Sequence, residues 1–131
     1  TPLDPDGSYF ALWGGIAGVQ MTLPLMLDAG FHQRGVAPAT IAALTATNPA
    51  ERFGLAPRKG RVAVGNDADL VLVDLAARYT LQAADLHDRH RLNPYLGRRL
   101  RGQVVRTIRR SVTIVERGRR VGPADGRFWK R

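Results

Sequence analysis

The chain has 131 residues, enough for one ordinary domain and too few for a complete (β/α)8 barrel. Its 44% hydrophobic and 24% charged residues are globular values, and no apolar run reaches the roughly 18 residues needed to span a bilayer. The net charge of +9 asks whether an anionic partner exists, but it is unevenly spread: residues 1–77 hold 5 basic and 7 acidic side chains, residues 78–131 hold 15 and 4.

The predicted elements run as follows. Residues 1–8 are rich in Pro, Asp and Gly and read as a loop, and the opening ten residues lack the basic start of a secretory leader. Ile16, Val19, Leu23, Met26 and Leu27 share one helical face, predicting a helix over 14–31 that Pro24 should break or kink and Gly30 ends. A second helix over 35–47 begins near Pro38, with Ile41 and Leu44 on its buried side. Asn48 and Pro49 are composed as a cap and first position of a third, short helix, with Glu51 closing a capping box and Gly54 as the stop. After Gly60 the pattern turns extended. Strands are expected over 61–64 and 70–74, separated by the turn Gly65-Asn66-Asp67, and the unbroken apolar run Leu70 to Val73 predicts burial on both faces. Residues 81–100 read as loop with a helical turn near Asp85. Alternation over 103–109 and 112–116 predicts a half-buried hairpin, and Gly118 onward a tail. Helices first and strands after is unusual for a free-standing α/β domain, which predicts the end of one domain over 1–56 and part of another over 57–131.

Several stretches carry a resemblance. Thr47-Asn48-Pro49-Ala50 with Phe53-Gly54-Leu55, then Lys59-Gly60 with Gly65 and Asp67-Ala68-Asp69-Leu70-Val71-Leu72, then Gly102, Val104, Thr107 and Arg110 are similar, in order and spacing, to the C-terminal part of the cyclic amidohydrolases. That group holds dihydroorotases, hydantoinases and allantoinases. Two further stretches resemble its allantoinase branch: Trp13-Gly14-Gly15-Ile16-Ala17-Gly18 with Gln20, and Asp85-Leu86 with Arg89-His90, Pro94-Tyr95 and Gly97-Arg98. Ser111 departs from the pattern, standing where glycine is usual, so a looser or different turn is expected there.

The resemblance implies an α/β protein: helices of a metal-dependent (β/α)8-barrel hydrolase over 9–56, then strands of a small β-sandwich that such enzymes build from both chain ends. It implies hydrolysis of the ring amide of allantoin to allantoate in ureide catabolism, with dihydroorotase or hydantoinase (dihydropyrimidinase) chemistry as the alternative. It further implies two divalent metal ions, zinc by family habit, in a cytoplasmic homo-tetramer, with the isolated segment inactive. The family's ligands are an early His-x-His pair, a carboxylated lysine and two later histidines, with an aspartate as proton shuttle. None is located in this sequence, and Asp4 and Asp6 do not stand in the catalytic context. No catalytic residue and no metal ligand is therefore assigned, and this segment is expected to bind no metal.

The residues themselves say less. The absence of cysteine removes thiolate chemistry and Cys-based zinc sites. Asp67 and Asp69 read as turn carboxylates rather than a metal pair. His87 and His90, bracketed by Asp85 and Asp88, have ligand-like spacing, but the matching family segment is a loop outside the metal centre; His32 reads as a solvated helix-end residue. Trp13, Gly14 and Gly15 are the candidate substrate-binding residues through their backbone, because barrel enzymes build their sites at the C-terminal ends of strands. Here the glycines serve either to let peptide groups approach a ring imide or to allow tight helix packing. The arginine-rich stretch from Arg98 to Arg120 raises a nucleic-acid-binding module as a competing function, but Tyr95 is the lone aromatic available for stacking and no nucleic-acid motif appears. Neither a nucleic-acid nor a membrane partner is expected.

Overall fold

The computed structural model describes residues 15–89 and 91–126. Two helical runs come first. A 3-10 turn at Val19–Met21, helix α1 at Thr22–Leu25 and a π-wound stretch at Met26–His32 follow one another without interruption. Pro24 does not break this run as predicted, because it sits in the first turn of α1, where a missing N–H costs least. Gly30 does not end it either. It is buried within the run, facing Val36 and Ile41, and the chain leaves the helix only at Gly35, with the Val36 N–H donating back to the Gly30 carbonyl at 3.1 Å.

The second run joins helix α2 (Pro38–Ala42), a π-wound stretch at Ala43–Thr47 and helix α3 (Asn48–Arg52). Asn48 is not the cap predicted for a new helix. Its φ of −63° and ψ of −42° are helical, no side-chain cap bond forms, and Glu51 pairs with Arg61 instead of closing a box. The chain is already wound when it reaches Asn48, so there is no free terminus to cap. Gly54 does stop the run, with Leu55 N–H to Ala50 O at 2.7 Å and Gly54 N–H to Glu51 O at 3.1 Å, the bond pair of a Schellman end. Of the predicted inward positions, Leu27 and Ile41 are buried, whereas Ile16, Val19 and Leu44 are 59%, 93% and 52% exposed, since no described element lies over them.

Strands β1 (Leu70–Thr80), β2 (Arg99–Arg109), β3 (Val112–Glu116) and β4 (Arg119–Arg120) form one antiparallel sheet in chain order. β1 continues past the predicted end through a bulge. There Asp74 Oδ1 accepts the Ala76 and Ala77 N–H groups at 2.9 and 3.1 Å, and pairing resumes at Arg78 with Arg101. The predicted β2–β3 hairpin is present. Its two-residue turn has Arg110 and Ser111 at φ of +46° and +68°, the positive values a type I′ turn requires, so serine keeps the tight geometry in place of glycine. Two bonds from outside the hairpin hold it there: Arg110 N–H to Asp69 Oδ1 at 2.8 Å and Ser111 N–H to Ala68 O at 3.1 Å.

Three strand predictions fail. Residues 61–64 are irregular, with Val62 and Val64 at 87% and 107% exposure, because no described strand lies beside them. β1 is not buried on both faces; Val71 and Leu72 are 48% and 42% exposed, since β1 is an edge strand paired only with β2 among the described residues. Residues beyond Gly118 are not all tail, because β4 pairs with β3 and the Val121 and Gly122 N–H groups both donate to the Ile114 carbonyl. Among the described residues there is one antiparallel sheet, with neither a parallel barrel strand nor the second sheet of a sandwich.

The first helical run packs on β2. Met21, Leu81, Leu86 and Leu100 form the core, flanked by Leu25, Tyr79 and Tyr95, and each fully buried leucine stabilises by about 2 kcal/mol. Below this cluster Leu27 sits against Gly102, whose missing side chain lets helix and strand meet. The second run instead receives the loop 55–69 at Gly60. A Cβ there would lie 2.6 Å from Ala50 Cβ and 3.0 Å from the Ala46 carbonyl, and the Thr47 hydroxyl donates to the Gly60 carbonyl at 2.7 Å.

Candidate functional site

Of the predicted substrate-contacting residues, Trp13 and Gly14 lie outside the described residues, as do Asp4, Asp6 and His90. Gly15 is exposed with φ of +104°, and a Cβ built on it would meet nothing within 4 Å. Among the described residues, then, glycine is required at this position by the backbone angle and not by tight packing. The next residues form a tight turn, with Gly18 N–H donating to Ile16 O at 2.8 Å and Met21 N–H to Gly18 O at 3.0 Å.

The loop between β1 and β2 closes on this segment. Gln20 uses both ends of its amide: Nε2 donates to Asp85 O at 2.6 Å and Oε1 accepts the His87 N–H at 3.0 Å. Leu86, between those contacts, is buried in the core. Asn93, itself buried, donates from Nδ2 to Ala17 O at 3.3 Å and accepts the Tyr95 N–H at 3.0 Å. The two stretches that resemble allantoinase are thus neighbours in space, linked by bonds that span 65 to 76 residues of sequence.

The loop's far end is fixed by a buried charge. Asp28 accepts the Arg98 guanidinium at 3.0 Å, the Arg101 N–H at 3.3 Å and the Gln33 amide at 3.1 Å. With three donors converging on it, this carboxylate is satisfied despite being 4% exposed.

Asp67 and Asp69 lie in the loop that leads into β1 and are held by ion pairs. Asp67 pairs with Arg58 at 2.8 Å and Lys59 at 2.9 Å, and Lys59 also binds Asp69. Hydrogen bonds from Lys59 and then Arg58 lower the Asp67 carboxyl from 3.8 to about 2. Burial alone would raise Asp69, but the Lys59 ammonium and the Arg110 N–H outweigh it and hold that carboxyl below its usual range. Burial likewise opposes the charge on Lys59, and the two aspartates reverse this and raise it above 10.5.

Two of the three histidines are among the described residues. His87 is exposed and engaged through its backbone N–H. His32 is not solvated as predicted: it is half-buried, edge-on to the neighbouring Phe31 ring at 4.7 Å, with its Nε2 buried and without a partner among the described residues. Among the described residues no group of three His, Cys, Asp or Glu side chains is placed to hold a metal ion, so none is given that role. Nor is any helix there long and apolar enough to cross a membrane. In the arginine-rich stretch, Arg106 pairs with Glu116 across the hairpin and Arg109 pairs with Asp125.

Residues 8–119 match the family described as the Amidohydrolase family. The chain belongs to the amidohydrolase family. This amidohydrolase segment is 48% identical over 132 residues to the allantoinase of Rubrobacter xylanophilus, covering 98% of this chain and 29% of that one. It is 47% identical to the allantoinase of Deinococcus radiodurans with the same coverage. Among solved structures it is similar to a D-hydantoinase (dihydropyrimidinase) from Thermus sp., with a TM-score of 0.83 and 29% identity over 88% of this chain and 25% of that one. An L-hydantoinase from Arthrobacter aurescens gives a TM-score of 0.73 and 30% identity over 76% of this chain and 22% of that one. The amidohydrolase segment therefore spans less than a third of the length of these relatives.

The residues that sequence reasoning missed are Gln20, Asn93 and the Asp28–Arg98 pair. Gln20 and Arg98 stand next to or within the allantoinase-like stretches, but nothing in their spacing shows that those stretches touch.

Proposed function

We propose that this chain is part of an allantoinase-like cyclic amidohydrolase that opens the ring amide of allantoin to allantoate. One observation carries the proposal: likeness to proteins named allantoinase extends over 98% of the chain. The likeness to solved hydantoinases favours a second substrate class, hydantoins and dihydropyrimidines. Residues 1–56 are taken as the end of a barrel domain and 57–131 as part of a small composite sandwich, in which the edge of β1 that has no partner among the described residues would receive strands from elsewhere in the protein.

The segment's own chemistry is backbone recognition. Gly15 is exposed and carries no Cβ to shield its backbone, while a cyclic ureide offers alternating N–H donors and carbonyl acceptors to match. Two divalent ions, zinc by family habit, would activate water and polarise the ring carbonyl in the whole enzyme, with ligands expected from outside this segment. The expected setting is the cytoplasm, as a homo-oligomer with a small-molecule substrate and neither nucleic acid nor membrane as partner.

The test uses the segment within a protein of its relatives' full length, assayed on allantoin, hydantoin and dihydroorotate. Turnover of allantoin above the others supports the assignment, and turnover of hydantoin above allantoin moves it to the second class. In that protein Gly14→Val should raise KM while metal content stays constant; an unchanged KM rejects the backbone contact. Sub-micromolar, steeply salt-dependent binding of nucleic acid would reopen the basic-module alternative.

A further inference from the structure

Resting on that proposed function, we infer that Gln20 and Asn93 are positioning residues that select which backbone groups of the glycine segment face the substrate. Four peptide groups in this segment are already engaged. Ile16 O receives the Gly18 N–H, Ala17 O receives Asn93 Nδ2, and Gly18 O receives the Met21 N–H. The N–H and carbonyl of Gly15 and the N–H groups of Ile16 and Ala17 have no partner among the described residues, so these are the backbone groups left open to a ring imide.

The orientation of the Ala17–Gly18 peptide depends on the loop between β1 and β2, because its carbonyl is held by Asn93 and its N–H by the turn. Asn93 is in turn fixed by the Tyr95 N–H on its Oδ1. Gln20 holds the same loop at a second place, pairing with residues 85 and 87 as a strand neighbour would, on either side of the buried Leu86. The loop therefore cannot shift relative to residues 15–18 without breaking bonds at two separate amides. A loop fixed in this way tunes binding by geometry, since a misplacement of about 1 Å is enough to spoil an oriented contact.

The experiment is kinetic, on the full-length protein with Gln20→Ala and Asn93→Asp, the latter keeping the acceptor for Tyr95 while losing the donor to Ala17. Each variant is expected to raise KM for the cyclic ureide by about fivefold to tenfold, the worth of one or two hydrogen bonds, with kcat within about twofold and hydrogen exchange at residues 15–18 accelerated. Arg106→Gln, which breaks an exposed ion pair on β2, should leave KM unchanged. If both variants lower thermal stability but leave KM at the wild-type value, the two amides are structural only and the positioning role is overturned. If the wild-type protein, loaded with metal, opens no cyclic ureide, the functional proposal is what has failed, and the positioning role falls with it.

Discussion

Gly60 is the point at which the loop 55–69 rests on the second helical run, and replacing it with alanine should be costly for two separable reasons. The first is conformational. At φ of +89° an alanine sits in left-handed backbone, which costs about 1 kcal/mol. The second is steric: the new methyl would lie 2.6 Å from Ala50 Cβ, 3.0 Å from the Ala46 carbonyl and 3.2 Å from Thr47 Cα, none of which can rotate away. Overpacking of this kind adds about 1–3 kcal/mol, giving a total of about 2–4 kcal/mol. Gly65 supplies the control, because its φ is +90° and a Cβ there meets nothing within 4 Å. Gly65→Ala should therefore lose only the conformational part, about 1 kcal/mol. Urea unfolding followed by far-ultraviolet circular dichroism compares the two midpoints at constant slope. Equal losses in Gly60→Ala and Gly65→Ala would refute the close contact between loop and helix.

Because the Asp67 carboxyl is lowered to about 2 from 3.8, its contribution is complete above the unfolded value and is lost as pH falls through about 2; Lys59→Met should flatten the melting temperature against pH between those values. At the alkaline end the raised Lys59 contributes fully below 10.5 and fades as pH climbs beyond its folded value, so the same variant should flatten that limb as well. Ser111→Gly should stabilise the protein by about 1 kcal/mol, read as a higher urea midpoint, because φ of +68° strains serine and not glycine.

Local chemistry made part of this structure legible in the sequence. Gly54 as a stop, Gly65 to Asp67 as a turn and the alternation around Arg110–Ser111 each follow from residues within a few positions of one another. What failed depended on distant partners. Asn48 has the composition of a cap, but a cap needs a helix beginning there, and the run that starts at Pro38 had not ended. Val62 and Val64 have strand composition without a described neighbour to pair with, and the apolar spacing of Ile16, Val19 and Leu44 marks a face without saying what lies over it. At the candidate site Gly15 stood out as a glycine, but its left-handed backbone angle did not. The amides of Gln20 and Asn93 could not be read either, since their partners lie 65 to 76 residues away and glutamine and asparagine have no periodicity of their own.

The Asp69 carboxylate stands just before β1 and accepts the Arg110 N–H at the tip of a hairpin 41 residues further on. For anyone wishing to label or split this protein, that bond decides where to cut. The two-residue tip at Arg110 and Ser111 looks like an ideal insertion point, but an epitope placed there would tear the tip from Asp69 and Ala68 and loosen the start of β1 with it. The turn at Arg117 and Gly118 joins β3 to the two-residue β4 and reaches β2 through one bond, from the Arg117 N–H to the Val105 carbonyl, so a tag or fluorophore inserted after Gly118 puts less of the sheet at risk.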